Sequence, residues 1–163
     1  MKSFRLHTIS TVALTIAAFI TSGCGEAEVD SGFAVVPAQG VVMQNGSPLP
    51  NATISFIPAQ QLAPGYYGCG GVTDAEGKFT LSVGTQEGAV AGSYKVIVSK
   101  LTDKCGNPLD TASLEEGMDL EQLKMQGQVK EAIPPKFSNP NKSILAIDIP
   151  SDGSSELKLE ISS

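Results

Sequence analysis

Apolar and polar residues alternate along several short stretches of this chain after residue 40. In residues 156–161 every second residue is Leu or Ile, and charged residues lie between them. Residues 52–56 and 78–83 follow the same period of two, and residues 94–100 and 143–149 are rich in Val and Ile. A period of two is typical of a strand with one buried face. The pattern predicts roughly seven short strands with little helix, which is an all-β sandwich.

Turn residues separate these stretches. Asn45-Gly46 supplies two residues that tolerate positive φ, which predicts a β-hairpin between residues 41–43 and 52–58. Asp74 to Gly77 predicts a second hairpin, in which the aspartate caps a tight turn that the glycine closes. Asp74 and Glu76 could instead be calcium ligands, but an EF-hand loop needs about twelve residues with several spaced oxygen ligands.

One connection, residues 101–142, is far longer than the turns around it. Loops of that length are usually functional or partly disordered. Residues 113–116 (SLEE) fit a capping box, and Leu114, Met118 and Leu123 could share one face of a short helix. We therefore expect a partly helical connection. It either covers an open edge of the sandwich or forms a surface that binds a partner.

The N-terminal segment has a different pattern. Lys2 and Arg5 precede residues 8–20, which are uncharged and mostly apolar or small. A basic start, a short apolar run and a small-residue exit predict a secretory signal peptide, and the run is shorter than the roughly 20 residues that span a bilayer.

The residues after that run distinguish two kinds of export signal. Thr21-Ser22-Gly23-Cys24 resembles the bacterial lipobox, in which a cysteine is diacylated on sulfur and becomes the new N-terminus. The lipobox family prefers an aliphatic residue at the position of Thr21. Cleavage after Ala27 by ordinary signal peptidase is the alternative, and a chance cysteine in a retained segment is a third. We expect lipid attachment at Cys24, since two acyl chains give stable membrane anchoring.

The resulting organisation has three parts. Residues 1–23 are the lipoprotein signal peptide, residues 24–39 an acidic flexible tether, and residues 40–163 the sandwich domain that contains the long connection. A mature chain that begins at Cys24 has 140 residues, enough for one domain with a real core. The expected location is the bacterial cell envelope, either at the periplasmic face or at the cell surface.

Charge and histidine content exclude several function classes. After the signal the chain has nine lysines and seventeen acidic residues, a net charge of −8, which is the wrong sign for binding nucleic acid. The only histidine, His7, lies in the signal. A mature protein without histidine has no Ser-His-Asp or Cys-His pair and no zinc site of the usual kinds. We expect no enzymatic activity, no cofactor and no metal; the alternative is a small exported hydrolase that uses carboxylates.

Three sequence blocks carry a resemblance to a known family. Residues 40–58 (GVVMQNGSPLPNATISFIP), 73–81 (TDAEGKFTL) and 88–98 (GAVAGSYKVIV) resemble the carboxypeptidase regulatory-like, or transthyretin-like, domains. Residues 133–137 (IPPKF) followed by two strands are similar to small lipoproteins of planctomycete-type bacteria. The resemblance implies an Ig-like or transthyretin-like sandwich of an accessory kind and no catalytic residues.

Two cysteines remain once Cys24 is acylated. Cys69 and Cys105 both lie beside glycines in expected loops, and an exported protein meets an oxidising environment. We expect a disulfide between them that pins the long connection to the loop before Gly71. The alternative is two free thiols.

The function that these observations favour is binding or structural support. The chain is expected to be a noncatalytic envelope lipoprotein held to the membrane by its N-terminal lipid. Its partner would be an envelope protein, a peptide or a glycan. Residues 101–128 combine acidic residues with Leu114, Met118 and Met125, which suits a basic protein or peptide.

Overall fold

The computed structural model describes residues 32–109 and 120–162. Within these residues the chain is mostly strand, with two short helices, which confirms the predicted all-β sandwich class. The strands are β1 (Val35–Val36), β2 (Ala38–Gln44), β3 (Ser47–Pro48), β4 (Thr53–Pro58), β5 (Cys69–Val72), β6 (Lys78–Thr80), β7 (Ser82–Val83), β8 (Gln86–Glu87), β9 (Ala89–Val90), β10 (Gly92–Ser99), β11 (Leu101–Asp103), β12 (Val129–Glu131), β13 (Leu145–Ile149) and β14 (Ser154–Ile161). The helices are α1 (Leu120–Met125) and α2 (Pro135–Ser138).

Two larger sheets form the body of the fold. The first has six strands in the order β13-β10-β4-β5-β7-β8, and the second has the order β14-β2-β3 with β6 also paired to β2. Strand β14 runs parallel to β2, whereas the other pairings are antiparallel. Two small sheets, β1-β9 and β11-β12, complete the described structure.

The hydrophobic core draws on both larger sheets, as the alternating pattern predicts. Ile54 and Phe56 of β4 are buried, and so are Leu157, Leu159 and Ile161 of β14. The residues between them on each strand are exposed or half-buried. Removing these apolar side chains from water supplies most of the favourable free energy of folding.

The first predicted hairpin is present but its second strand differs. Asn45 and Gly46 both have positive φ, 50° and 79°, and connect β2 to the two-residue strand β3. The prediction that residues 52–58 pair with residues 41–43 is wrong. The chain crosses to the other sheet after β3, and β4 pairs there with β10 and β5.

The second predicted hairpin has the expected turn and a divided return strand. The Gly77 N–H donates to the Asp74 carbonyl oxygen at 3.1 Å, and the Asp74 N–H donates to the Lys78 carbonyl oxygen at 2.8 Å. Strand β6 then pairs with β2 in one sheet, and β7 pairs with β5 in the other. The strand changes sheet at Leu81, which is fully buried and whose N–H donates to the Ala38 carbonyl oxygen.

The sheet structure begins before the predicted domain start at Gly40. Residues 35–36 pair with β9, and Ala38 at the start of β2 is fully buried, so part of the range 24–39 assigned to the tether lies in strands. Residues 24–31 of that range lie outside the described residues.

The long connection of residues 101–142 contains regular structure of both kinds. Its described parts form β11, α1, β12 and α2. Helix α1 packs against β12, and α2 packs against β10 of the six-stranded sheet. The predicted capping box at residues 113–116 lies outside the described residues.

Candidate functional site

A groove lies on the outer face of the four-stranded sheet. It has a volume of about 710 Å³ and is formed by β2, β6, β14 and the end of β5. Its polar lining consists of Gln39, Asp74, Lys78, Thr80, Ser155, Glu156 and Lys158. Alternation places Gln39, Lys78, Thr80, Glu156 and Lys158 outward, because their strand neighbours Ala38, Phe79 and Leu157 are buried.

Strand register brings two ammonium groups to this groove from separate parts of the sequence. Val41 on the central strand β2 pairs with Lys78 of β6 on one side and with Lys158 of β14 on the other. Asp74 and Glu156 line the same groove. The groove therefore offers both signs of charge to a polar ligand, and histidine, the usual general base, is not among its lining residues.

The floor of the groove depends on a glycine. A side chain on Gly40 would place its Cβ 2.2 Å from the Leu157 carbonyl oxygen. The pairing of β14 with β2 shifts register between Ser154 and Leu157, next to this close approach. Gly40 therefore allows β14 to bend over β2, as β-bulges commonly do.

A cluster of buried polar side chains lies inside the core. The hydroxyl groups of Tyr66 and Tyr94 are 2.9 Å apart, and the Tyr94 hydroxyl also donates to the Val90 carbonyl oxygen. The rings of Phe33 and Phe56 contact these tyrosines edge to face, at centroid distances of 5.3 and 5.6 Å. The cluster satisfies its own hydrogen bonds, so it stabilises the core as a polar network.

Cys69 belongs to the same cluster, and its thiol is buried. Burial raises the pKa of its thiol, and the side-chain hydrogen bond with Tyr66 only partly offsets that effect. Burial also raises the pKa of Tyr94 to about 12, and it raises the pKa of Tyr66 above its ordinary value. The thiolate is the nucleophilic form of cysteine, so a buried thiol with a raised pKa is a poor nucleophile.

The predicted disulfide between Cys69 and Cys105 is not formed. Both cysteines are free: Cys69 is buried and Cys105 is exposed. Cys69 is the first residue of β5, paired with Phe56, rather than a loop residue. Cys105 lies in the turn after β11. Cys24, the predicted site of lipid attachment, lies outside the described residues.

Two aspartates build the same turn at different places in the fold. The Asp74 Oδ1 accepts hydrogen bonds from the N–H groups of Glu76 and Lys78, at 2.9 and 2.8 Å. This geometry confirms that Asp74 caps a turn, since its carboxylate oxygen is committed to the backbone.

The second turn was not predicted from the sequence. The Asp103 Oδ1 accepts from the N–H groups of Cys105 and Asn107, at 2.8 and 2.9 Å. The signal that could have revealed it is the pattern Thr-Asp-x-x-Gly, which occurs at residues 73–77 and again at residues 102–106. The side-chain hydrogen bond from Asn107 is the largest cause that lowers the pKa of Asp103. A general acid in glycoside hydrolysis needs the opposite shift.

The predicted partner surface of residues 101–128 is described only at its two ends. Met125 on α1 is 82% exposed, and Lys124 pairs with Glu121 at 3.0 Å. Leu114, Met118 and the acidic residues between positions 110 and 119 lie outside the described residues.

The described residues contain neither a cluster of metal ligands nor a membrane-spanning helix. Across residues 32–109 and 120–162, no group of three or more His, Cys, Asp or Glu side chains could hold a metal ion. None of the helices in those ranges is both long and apolar enough to cross a membrane.

Comparison of the chain with protein-family models, with curated proteins and with solved structures finds no match. The fold class therefore stands on the structure, and the resemblance to carboxypeptidase regulatory-like domains stands on the three sequence blocks.

Proposed function

We propose that this chain is an exported lipoprotein of the bacterial cell envelope, a noncatalytic β-sandwich that binds a partner or serves as a structural module. The observation that carries the proposal is the position of Cys24. It follows an uncharged, mostly apolar run, and the first described strand begins eleven residues later, at Val35. Two acyl chains on Cys24 would hold the domain at a membrane surface.

The resemblance to accessory β-sandwich domains supports the noncatalytic part of the proposal. The groove on the outer face of the four-stranded sheet also supports it, since mixed ammonium and carboxylate groups suit polar contacts with a ligand. Carboxylate chemistry is the alternative, and Asp74 and Glu156 are the groove residues that it would use.

A change at Cys24 tests the anchor. Cells that express the wild-type chain or Cys24→Ala are labelled with an alkyne fatty acid, and the labelled protein is detected after coupling to a dye. We expect label on the wild type and none on the variant. Equal labelling of both chains would reject attachment at Cys24.

We further propose that partner contacts come from residues 101–128. Met125 supports this proposal, since a methionine 82% exposed on a short helix is an available apolar anchor. The acidic residues of this segment would attract a basic protein or peptide and speed the encounter.

Replacement of residues 104–128 by a Gly/Ser linker tests this surface. The change keeps the pairing of β11 with β12, so the sandwich should stay folded. We expect the folded variant to lose capture of partners that the wild-type domain retains in a pull-down. Full capture would reject the surface, and turnover of an ester or glycoside by the wild type that is lost in Glu156→Gln would reject the noncatalytic proposal.

A further inference from the structure

The loop between β4 and β5, residues 59–68, holds one aromatic ring inward and the next one outward. Tyr66 is 5% exposed, whereas Tyr67 is 88% exposed. The hydroxyl of Tyr66 is fixed by Tyr94 at 2.9 Å. Gly68 follows with φ of 136°, and a Cβ on it would lie 2.2 Å from the Phe56 carbonyl oxygen. Gly68 therefore passes close over β4, which constrains the backbone next to Tyr67. The side chain of Tyr67 is left exposed to solvent.

The side chains that line the groove beside Tyr67 are apolar or uncharged. Ile57, itself 38% exposed, lines a shallow groove of about 390 Å³ together with Tyr67 and Gln61. The sequence has no Asp, Glu, Lys or Arg from Ser31 to Thr73. In a chain with net charge −8 after the signal, the residues of this loop therefore carry no charge of their own.

The N-terminal end of the described chain lies against the same loop. The ring of Phe33 contacts the ring of Tyr66 edge to face at 5.3 Å. Seven residues lie between Cys24 and Gly32, and the eight residue steps from one to the other span at most about 29 Å. An anchor on Cys24 therefore holds Gly32, next to Phe33 and this loop, within about 29 Å of the lipid surface.

Tyrosine suits the boundary between lipid and water, because its ring is apolar and its hydroxyl can stay hydrated. One exposed ring binds lipid weakly. A tether to the same membrane raises the effective concentration of lipid at the ring, so even a weak contact can form. We propose that the loop of residues 59–68 rests on the membrane that holds the acyl anchor, with Tyr67 in the interface. This inference rests on the proposed lipid attachment at Cys24.

The charges around the loop indicate whether the contact depends on the headgroup charge of the lipid. Asp148 lies near the loop, since its strand partner Ser93 accepts a hydrogen bond at its carbonyl oxygen from the Ala59 N–H. Lys95 is the basic neighbour of the loop, since it pairs with Ile57 across β10 and β4. One acidic and one basic neighbour offset each other, and no cluster of lysine or arginine is present to attract anionic lipid. Contact should therefore occur on zwitterionic phosphatidylcholine and should not need anionic lipid.

A tryptophan reporter tests this contact. The chain has no tryptophan, so Tyr67→Trp gives a single fluorescent probe, and Met125→Trp on α1 is the matched control at 82% exposure. Met125 lies beyond the other end of β10, where β11, β12 and α1 follow Ser99. The chain from Cys24 onward, which contains every described residue, carries Cys105→Ser so that Cys24 is the accessible thiol. It is coupled through Cys24 to a maleimide lipid in phosphatidylcholine vesicles.

We expect the probe at position 67 to shift its emission to shorter wavelength and to be quenched by brominated phosphatidylcholine, while the probe at position 125 shows neither change. A probe at position 67 that stays in water on the coupled vesicles overturns the inference. Equal quenching at both positions also overturns it, since that result means contact without orientation. Shielding of position 67 only after an envelope protein is added assigns the loop to a protein partner instead.

The chemical coupling separates this test from the proposed function. It supplies the anchor whether or not cells acylate Cys24. Failure of the fatty-acid labelling therefore rejects natural anchoring, whereas failure of the quenching experiment rejects the orientation of the loop.

Discussion

The buried hydroxyl groups of Tyr66 and Tyr94 couple stability to alkaline pH. Burial raises the pKa of Tyr94 to about 12 from its ordinary value of 10.0. Between pH 10 and pH 12 the Tyr94 hydroxyl keeps its proton in the folded state and loses it in the unfolded state. The free energy of unfolding therefore falls as pH rises through this range. We expect Tyr94→Phe to flatten this fall, measured as the midpoint of urea unfolding between pH 9 and pH 12. Tyr67→Phe, which removes an exposed hydroxyl, should keep the wild-type slope.

The two described cysteines should differ in reactivity. Cys69 is buried with a raised pKa, and Cys105 is exposed. We expect a thiol reagent to modify Cys105 rapidly in the native Cys24→Ala chain, and Cys69 only at the rate of unfolding. Mass spectrometry locates the adduct, and Cys105→Ser gives the control. An unfolded, non-reduced chain with no titratable thiol would contradict the free cysteines.

At the scale of elements, the two Thr-Asp-x-x-Gly turns differ in what they connect. The turn at Asp74 leads from β5 in one sheet to β6 in the other, whereas the turn at Asp103 follows the peripheral strand β11. Asp74→Ala removes two side-chain hydrogen bonds and should cost about 1 to 2 kcal/mol in the free energy of unfolding. Asp103→Ala should cost less, because β11 and β12 contribute little to the core. Chemical denaturation of both variants checks the order, and a larger loss at Asp103 would contradict it.

The elements also show how far sequence alone predicts this fold. Alternation identified the buried faces of β4, β6, β7 and β14, because burial on one face of a strand imposes a period of two. The turn residues identified where the chain reverses. Neither signal predicts the pairing partner. After Asn45-Gly46 the chain adds only the two-residue strand β3 before it leaves the sheet, and Leu81 divides one predicted strand between two sheets.

The same limit applies to the candidate site. Lys78 and Lys158 lie on either side of Val41 because β6 and β14 both pair with β2. A local sequence pattern does not predict such long-range pairing. The disulfide prediction failed for a related reason. Neighbouring glycines suggested a loop at Cys69, but Gly70 and Gly71 lie within β5, where other backbone atoms approach closely.

At the scale of the whole molecule, the two proposals place different surfaces at different ends. The loop of residues 59–68 and the entry of the chain at Phe33 lie at one end of β10, and α1 lies beyond the other. A domain anchored with Tyr67 toward the lipid would present Met125 away from it. The membrane contact would then orient the partner surface rather than compete with it.

Strand β14 should be essential to the sandwich. Leu157, Leu159 and Ile161 are at most 6% exposed, and burying three such side chains is worth about 5 to 9 kcal/mol. That amount is comparable to the whole stability of a typical domain. A chain that ends after Gly153 should therefore lack cooperative thermal unfolding, whereas Glu160→Ala, at an exposed position of the same strand, should melt like the wild type.

The parallel pairing of β14 with β2 also bears on when the domain can fold. Strand β14 (residues 154–161) is the parallel neighbour of β2 (residues 38–44). The sheet that contains β2 is therefore complete only when nearly the last residues of the chain are present. Contacts over such a sequence separation form late, because a long loop must close first. A chain emerging from the ribosome would therefore still be unfolded when its N-terminus reaches a translocation channel, and the fold would close only after the C-terminal strand had crossed. If the chain is exported unfolded, as the proposed function requires, this topology would delay folding until the whole chain has crossed the membrane.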